Sequence, residues 1–472
     1  MLSESTPLLN RQRQAESHGI LRRGLKARHL IMMSVGGTVG TGLFVASGLT
    51  IATAGPVGAL VAYLIVGIMV FCVLTSLGEM AALIPVSGSF HDFAGRFVDP
   101  ALAWTLGWNY WLQWAISLTS EVTAAGIILT FWFPNTPAWM FSAGILFALT
   151  ILNTRSVSFF GETEYWLSFI KVAAVLLFIC VGAYVDQFGF GGDDPAPPLG
   201  FQNWFIEGAP FKNGITGILS VISLAFFAFG GTELVGISAG EVEDPRKNES
   251  SGCVIIANDD PSLSLSAKSG DVSIAPFTLI LQRAGLTSAA NLMNLVILTA
   301  VVSTANSAMY AASRTLMSLS QRGQAHQMFG YVNSNGVPVW AVAVTVAIGS
   351  LAFLGIILGG TSGLLTWLSI SVTHIRFRAA LKVQGKSLAT LPYAAPLFPY
   401  SDYAALFIGL VILIGQAYVA IYGGAEGNVD YRMLLSIVGG VPLFFGLYLG
   451  YRMINGFKFV DLRNCDLGVI IS

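Results

Sequence analysis

Long apolar stretches recur along this chain, and most are long enough to cross a lipid bilayer. A membrane-spanning helix needs roughly 20 mostly apolar residues. The sequence contains eleven candidates, at residues 29–53, 57–84, 102–132, 138–153, 163–185, 213–238, 287–320, 338–358, 361–379, 403–423 and 433–453. Only 10% of the 472 residues are charged, whereas soluble proteins average about 25%. The chain is therefore predicted to be an all-α integral membrane protein.

Two of these stretches are interrupted by glycine-rich segments. The sequence GGTVGTGLF occupies residues 36–44, and FGGTELVG occupies residues 229–236. Unwound backbone is tolerated at membrane depth only where it lines a cavity or is buried in protein. In transporters built from two inverted repeats, broken helices at matching positions hold the substrate near the middle of the bilayer. The two breaks therefore predict a secondary transporter.

The breaks offer partners for both charged groups of a zwitterionic amino acid. Free N–H groups and the positive end of a half-helix suit its carboxylate, and unpaired carbonyls suit its ammonium group. The residues expected on the carboxylate side are Gly36, Gly37, Thr38, Gly40, Thr41 and Gly42. Those expected on the amine side are Phe226, Phe227, Phe229, Gly230 and Gly231. The alternative for membrane glycines is tight helix packing, and aromatic residues in membrane helices commonly face lipid or serve packing.

Five ionisable residues fall inside the predicted spans, where charge is costly and usually faces a cavity. They are Glu79, Glu121, Glu164, Lys171 and Glu233. Burial disfavours the charged form of lysine, so its proton becomes releasable. We expect Lys171, Glu121 and Glu233 to carry proton coupling. The alternatives are a structural pair of Lys171 with Glu164, carboxylates that brace the unwound backbone, and a structural or inner-gate role for Glu79.

The distribution of Lys and Arg indicates that one crossing is missing. Short cytoplasmic loops carry an excess of these residues, and the first six spans obey this rule if residues 1–28 form a cytoplasmic tail. The basic residues at 246–247 and those near the end of span 287–320 would then both be cytoplasmic. The segment 248–275 between them is too polar to cross a bilayer. Either it is a polar loop in an altered topology, or a helix has been lost.

Six motifs in order identify a family resemblance that extends from about residue 20 to 460. They are GGTVGTGLFVASG, LGEMAALIPVSGSF, GWNYWLQWA, FGGTELVGISAGEVEDPRK, STANSAMYAASRTL and GVPVWA. Together they resemble the fungal amino acid permeases of the amino acid, polyamine and organocation superfamily. The resemblance implies an inverted repeat of five plus five helices followed by two more. Residues 29–210 would form the first repeat, 211–390 the second without its seventh helix, and 391–472 the last two helices and a C-terminal tail.

The resemblance also implies proton-coupled import of amino acids through the plasma membrane, with vacuolar and endosomal membranes as alternatives. It places Phe227 where antiporter relatives have a gating aromatic, and Lys171 where sodium-coupled relatives bind their ion. Two rival functions stay open: an amino acid sensor that does not transport, and an inactive truncated permease. Glu4, Leu8 and Leu9 match a dileucine sorting pattern, so trafficking adaptors are possible partners of the tail.

Several classes of function are excluded on sequence grounds. Metalloprotease, esterase and phosphate-binding loop motifs are absent from the sequence, so neither an enzyme nor an ATP-driven pump is expected. Four scattered cysteines predict no metal site and no cofactor. A net charge of −1 gives no reason to expect nucleic acid. We expect His374, Arg376, Arg378 and Lys382 to set membrane topology rather than bind a ligand.

Overall fold

The computed structural model describes most of the predicted spans and part of their connections. The described residues are 25–26, 28–29, 32–33, 39–44, 46–86, 88–188, 209–238, 287–351, 360–422, 431–456 and 459–467. Within these ranges the regular elements are helices, and none is a β-strand. The predicted all-α fold is therefore confirmed. Residues 36–38, the polar segment 248–275 and the N-terminal sorting pattern lie outside the described ranges.

Thirteen α-helices are described, and two short 3₁₀ turns occur at Gln327–Gly330 and Leu388–Thr390. The helices are α1 Thr41–Phe44, α2 Ala46–Leu83, α3 Ser89–Phe97, α4 Pro100–Leu129, α5 Ala138–Asn153, α6 Val157–Phe188, α7 Gly214–Ala228, α8 Leu234–Ser238, α9 Thr287–Gln321, α10 Val339–Leu351, α11 Gly360–Val383, α12 Tyr400–Tyr422 and α13 Tyr431–Asn455. Five of them, α2, α4, α6, α9 and α12, are long and apolar enough to cross a membrane. Every predicted span overlaps helix, and the number of crossings stays a prediction.

Helix α2 contains a sharp interruption at the boundary predicted between the first two spans. Gly55 adopts φ 78° and ψ 168°, a conformation that glycine tolerates and other residues rarely adopt. The Lys212 amide donates to the Ala54 carbonyl at 2.8 Å, and the Val57 amide donates to the Pro210 carbonyl at 3.1 Å. The segment before α7 therefore supplies the partners that the interrupted backbone needs.

Helix α9 lies in the interior, where it packs against α4, α6 and α10. It carries a buried set of polar residues, which includes Ser303, Asn306 and Ser307. Small residues bring its neighbours close: a Cβ on Gly107 of α4 would collide with Leu319 of α9. Close packing of small residues and interhelical hydrogen bonds are the forces that join helices within a membrane. This interior helix positions the polar side chains beside the first break.

The segment at residues 459–467 is held by Arg376 of α11 and by Gln384, which directly follows this helix. Arg376 on α11 donates to the carbonyls of Phe97 and Val460, at 2.5 and 2.9 Å. Gln384 donates to the carbonyls of Leu462 and Cys465 at 3.0 and 2.9 Å. Arg376 was expected only to set topology, and the structure gives it this additional structural role.

Asp99 joins the start of α4 to the end of α13. One carboxylate oxygen caps α4 by accepting from the Leu102 amide at 2.7 Å. The other accepts from the Tyr448 hydroxyl at 2.8 Å and from the Arg452 guanidinium at 2.9 Å. Both Asp99 and Arg452 are buried, with exposed fractions of 1% and 7%. Loss of this carboxylate would remove a helix cap and break a buried ion pair.

We expect Asp99→Ala to destabilise the protein strongly. A lost cap costs about 1 kcal/mol, and removal of one partner of a buried ion pair costs about 3–5 kcal/mol. The measurement is the thermal unfolding midpoint of detergent-solubilised protein. The control is Asp466→Ala, because Asp466 pairs with Arg96 at the surface and is 72% exposed, where such pairs contribute at most about 1 kcal/mol. Equal midpoints for the two variants would contradict the role of Asp99.

Candidate functional site

The first glycine-rich break ends where α1 begins. Residues 39 and 40 form a bend, and the first helical hydrogen bond runs from the Phe44 amide to the Gly40 carbonyl at 3.1 Å. Gly40 lies against α9, because a Cβ at this position would be 2.6 Å from the Thr304 hydroxyl oxygen. The predicted ligand residues Gly36, Gly37 and Thr38 lie outside the described ranges. Gly40, Thr41 and Gly42 are the part of the first break that the structure describes.

The second break separates α7 from α8. Helix α7 ends at Ala228, and helical structure resumes at Leu234. Turn hydrogen bonds join the Gly230 amide to the Phe227 carbonyl and the Leu234 amide to the Gly231 carbonyl, both at 3.1 Å. Gly231 has a φ of 102°, which favours glycine. The sequence FGGTE therefore breaks a helix in the structure, at the position where the sequence predicted an interruption.

The two breaks touch each other. A Cβ on Gly42 would lie 2.5 Å from the Cα atom of Ala228, the last residue of α7. Because the obstacle is backbone rather than a flexible side chain, only glycine fits at position 42. The first break thus packs directly against the helix end that leads into the second.

Glu233 braces the second break. It is buried, and one carboxylate oxygen accepts from the Tyr110 hydroxyl at 3.0 Å. The other oxygen accepts from the Gly231 amide at 3.2 Å and from the Trp367 indole at 3.3 Å. These bonds tie the unwound backbone to α4 and α11. Both oxygens of Glu233 therefore have protein partners.

Glu121 faces the first break from α4. One of its carboxylate oxygens accepts from the Thr41 hydroxyl at 2.8 Å. Its other oxygen, Oε2, is buried and has no hydrogen-bond partner among the described residues. A buried acceptor without a partner is uncommon in a folded protein and calls for an explanation such as a bound ligand or proton. Glu121 therefore offers one oxygen that a ligand or a proton could use.

Lys171 on α6 lies between two acidic groups. Its ammonium nitrogen is 4.0 Å from Oε1 of Glu164, and it also interacts electrostatically with Glu121. Glu164 accepts hydrogen bonds from Ser303 and from Asn306, the latter at 3.0 Å. Lys171 and Glu164 are both fully buried. The structure thus brings two of the three predicted proton-coupling residues together beside the first break, while Glu233 binds other partners.

The three phenylalanines of the second break have different surroundings. Phe226 is buried, and its ring centre lies 4.5 Å from that of Trp367. Phe229 packs against Tyr63 at 6.2 Å. Phe227, the predicted gate, has 43% of its surface exposed. It lies on the α7 face that also carries Thr216 and the half-buried Ser220, so it does not share the packed environment of Phe226.

Two residues that sequence reasoning did not select, Tyr110 and Trp367, are central to the site because both bind Glu233. Tyr110 lies within the motif GWNYWLQWA, which served only for the family resemblance. Trp367 belongs to no quoted motif. Thr304 was also missed, although it lies within the motif STANSAMY beside Ser303 and Asn306.

A separate cavity of about 320 Å³ lies between α4, α11 and α13. Its lining is mostly apolar and includes Trp104, Trp108 and Trp111. A zwitterion needs partners for two opposite charges, whereas the polar residues of this lining are Asn109, Ser362 and the indoles, and no charged side chain is among them. The breaks are therefore the better candidate site for a charged small molecule.

Comparison with known proteins identifies the family. The profile described as "Amino acid permease" matches residues 29–253 and 249–464. Members of this family are membrane transporters rather than enzymes, so the expected class of protein is confirmed at this level.

Similar proteins occur in bacteria and fungi. "Lysine-specific permease LysP" of Escherichia coli is 42% identical over 471 residues, which cover 93% of this chain and 95% of that protein. "Histidine permease HisP" of Lactococcus lactis is 41% identical over 482 residues, which cover 96% of this chain and 99% of that protein. "General amino-acid permease GAP2" of Candida albicans is 35% identical over 464 residues, which cover 92% of this chain and 78% of that protein.

These identities do not confirm the expected fungal group, because the two bacterial permeases are more similar to this chain than the fungal one. The broader expectation holds: one family profile matches nearly the whole chain, and relatives above 40% identity align along more than nine-tenths of it. The chain therefore belongs to the amino acid permease family.

Proposed function

We propose that this chain is a secondary transporter that imports amino acids together with protons and binds its substrate between the two helix breaks. The observation that carries the proposal is the direct contact of the breaks at Gly42 and Ala228. Thr41, Glu121 and Lys171 lie beside the first of them. Backbone groups of opposite polarity and a buried ionisable cluster thus occur at one place, which suits a zwitterion and a proton.

The substrate carboxylate would bind the first break, at the backbone amides of Gly40, Thr41 and Gly42, together with the undescribed Gly36, Gly37 and Thr38. The substrate ammonium would bind the carbonyl side of the second break, around Phe226 to Gly231. Polar atoms beside this break support the proposal: Thr232 Oγ1 and Gln113 Oε1 are buried and have no hydrogen-bond partner in the described part of the chain. In this arrangement Phe227 would close over the substrate when its exposed ring moves inward.

The coupled proton would move between Lys171 and Glu121. Lys171 interacts with two carboxylates, and one of these has an oxygen that no described residue binds. A proton that passes from Lys171 to Glu121 would neutralise that carboxylate, and the neutral amine of Lys171 would remain beside Glu164. Glu233 is the weaker candidate for coupling, because both of its oxygens are already bound to protein donors. We propose that it supports the second break instead.

Lysine and histidine are the substrates to test first. The relatives LysP and HisP carry these amino acids in their names and align with almost the whole chain. Buried carboxylates near both breaks suit a substrate with a cationic side chain.

We further propose the plasma membrane as the site of import, with the vacuolar and endosomal membranes as alternatives. Trafficking adaptors for the N-terminal tail, and a fungal source, stay proposals from the motifs alone.

We infer that the chain lacks one crossing of its family between residues 247 and 276, so that residues 29–210 and 211–390 form unequal repeats. The family profile matches in two stretches that meet at residues 249–253, within the polar segment. The alignment with LysP extends over 471 residues but includes 93% of this 472-residue chain. About 30 aligned positions are therefore unfilled, which is enough for one crossing of roughly 20 residues.

This inference keeps two rival functions open to test. A sensor would bind amino acids without moving them, and a truncated permease would neither bind nor move them. Uptake of labelled lysine into proteoliposomes with an imposed proton gradient tests transport, and equilibrium binding of labelled lysine separates a sensor, which binds it, from a truncated permease, which does not. A chimera that carries the corresponding segment of LysP in place of residues 248–275 is the comparison. Uptake by the parent chain supports the proposal, and uptake by the chimera alone supports the truncated permease. If neither imports lysine or histidine, proton-coupled transport of these substrates is wrong.

We expect Gly42→Ala to abolish substrate binding. The new methyl group would meet the backbone of Ala228 and push the two breaks apart, which would displace the ligand groups on both. The measurement is equilibrium binding of labelled lysine to purified protein. The control is Gly144→Ala on α5, where a Cβ meets no atom within 4 Å. Unchanged affinity in Gly42→Ala would mean that the substrate binds elsewhere.

We expect Lys171→Ala to separate accumulation from exchange. Without its ammonium group the protein should no longer couple uptake to the proton gradient, while exchange of labelled for unlabelled lysine should continue. The control is Lys386→Ala, because Lys386 is exposed. Full accumulation by Lys171→Ala would remove this residue from the coupling mechanism and leave the structural pair with Glu164 as its role.

A further inference from the structure

Four ionisable side chains form a buried cluster away from the two breaks. Glu79 comes from α2, His374 and Arg378 from α11, and Asp402 from the first turn of α12. Glu79, His374 and Asp402 have no exposed surface, and Arg378 is 8% exposed. The cluster therefore joins α2 to the consecutive helices α11 and α12, through charges that are shielded from water.

His374 faces a carboxylate on each side of its ring. Its Nδ1 lies 2.8 Å from Oδ2 of Asp402, and its Nε2 lies 3.4 Å from Oε1 of Glu79. The first distance is a hydrogen bond and the second is an ion-pair contact. A neutral imidazole has one N–H group and can donate to only one of these acids, whereas an imidazolium has two. The geometry of the ring therefore favours the charged form.

The other contacts of the two acids are all with donors. Arg378 donates to Oε2 of Glu79 at 2.6 Å, and its Nε lies 2.5 Å from Oε1. The Ala395 amide donates to Oε2 of Glu79 at 2.5 Å. Ser76 donates to Oδ1 of Asp402 at 2.7 Å. Each carboxylate thus has the environment of an ionised acid, since an ionised carboxylate only accepts hydrogen bonds.

The charges balance only if His374 carries a proton. Glu79 and Asp402 contribute two negative charges, and Arg378 contributes one positive charge. A neutral His374 would leave one uncompensated charge in the interior, which is strongly unfavourable. The neighbours that face the ring complete this environment. Cys72 on α2 interacts electrostatically with Asp402, and the rings of Phe377 and Phe398 lie 6.1 and 5.4 Å from the imidazole.

We propose that His374 is a second protonation site of this protein, in which one proton held between Glu79 and Asp402 fastens α2 to α11 and α12. Release of this proton leaves a net negative charge inside the joint and weakens it. The site is separate from Lys171 and Glu121, and it does not depend on whether the protein transports amino acids. His374 and Arg378 were expected only to set topology, and this cluster gives them a different role.

The sign of the pH dependence follows from the charge balance. The joint is charge-balanced while His374 holds its proton, and it carries a net negative charge once that proton has left. The joint is therefore stable at low pH and loses stability as the pH rises through the titration of His374 in the folded protein. A neutral His374 would predict no such loss.

The test is a charge-balance series measured by thermal unfolding in detergent. His374→Gln should lower the unfolding midpoint, because it leaves Glu79 and Asp402 with a single cation. The double variant H374Q/D402N removes one charge of each sign and should recover most of that loss. If the double variant is no more stable than H374Q, or if H374Q matches the wild type, a protonated His374 is wrong.

A second measurement keeps the proposal testable if His374→Gln does not fold. Asp402→Asn alone removes the need for a proton on His374. The unfolding midpoint of the wild type should therefore fall from about pH 6 to about pH 10, a range that begins near the usual titration of histidine. The midpoint of Asp402→Asn should change much less over this range. Asp466→Asn, at an exposed acid, should follow the wild type. Parallel curves for the wild type and Asp402→Asn would overturn the proposal.

Discussion

Unwound backbone inside a membrane needs hydrogen-bond partners, and this need governs the structure. Every interrupted helix must satisfy its free amides and carbonyls from within the protein. At Gly55 the segment before α7 supplies them, and at Gly231 the carboxylate of Glu233 does. The first break instead packs its glycines against Thr304 and Ala228. The breaks persist because neighbouring helices are built to hold them.

The same requirement explains how charge is distributed in the interior. Glu233 is surrounded by donors and serves the backbone, whereas Glu121 keeps one oxygen for which the described part of the chain offers no partner. At the other buried cluster, His374 lies between Glu79 and Asp402. Glu233 is thus fully used by the fold, and Glu121 is available to a ligand or a proton. Glu79 and Asp402 are joined through His374. These differences in hydrogen bonding, rather than the residue type, separate structural acids from functional ones.

Much of the architecture could be predicted because it depends on local composition. Apolar length predicts the helices, and the glycine runs predict the break between α7 and α8. The partners of Glu233 could not be predicted, since Tyr110 and Trp367 are more than 120 residues away in sequence and no local pattern shows which helices meet. His374 and Arg378 were expected only to set membrane topology, for the same reason. The sequence does not show whether a basic residue near the end of a span faces water or a buried acid. The six ordered motifs were sufficient to identify the amino acid permease family. The comparisons with known proteins did not confirm its fungal group.

The central claim is that the two touching breaks hold the amino acid. It is tested most directly by an electron cryomicroscopy structure of the purified chain with lysine bound. We expect the α-carboxylate and α-ammonium of lysine to lie between residues 39–42 and 229–233, with a new partner for Oε2 of Glu121. Lysine bound elsewhere, for example in the cavity lined by Trp104, Trp108 and Trp111, with the breaks unchanged, would contradict the claim.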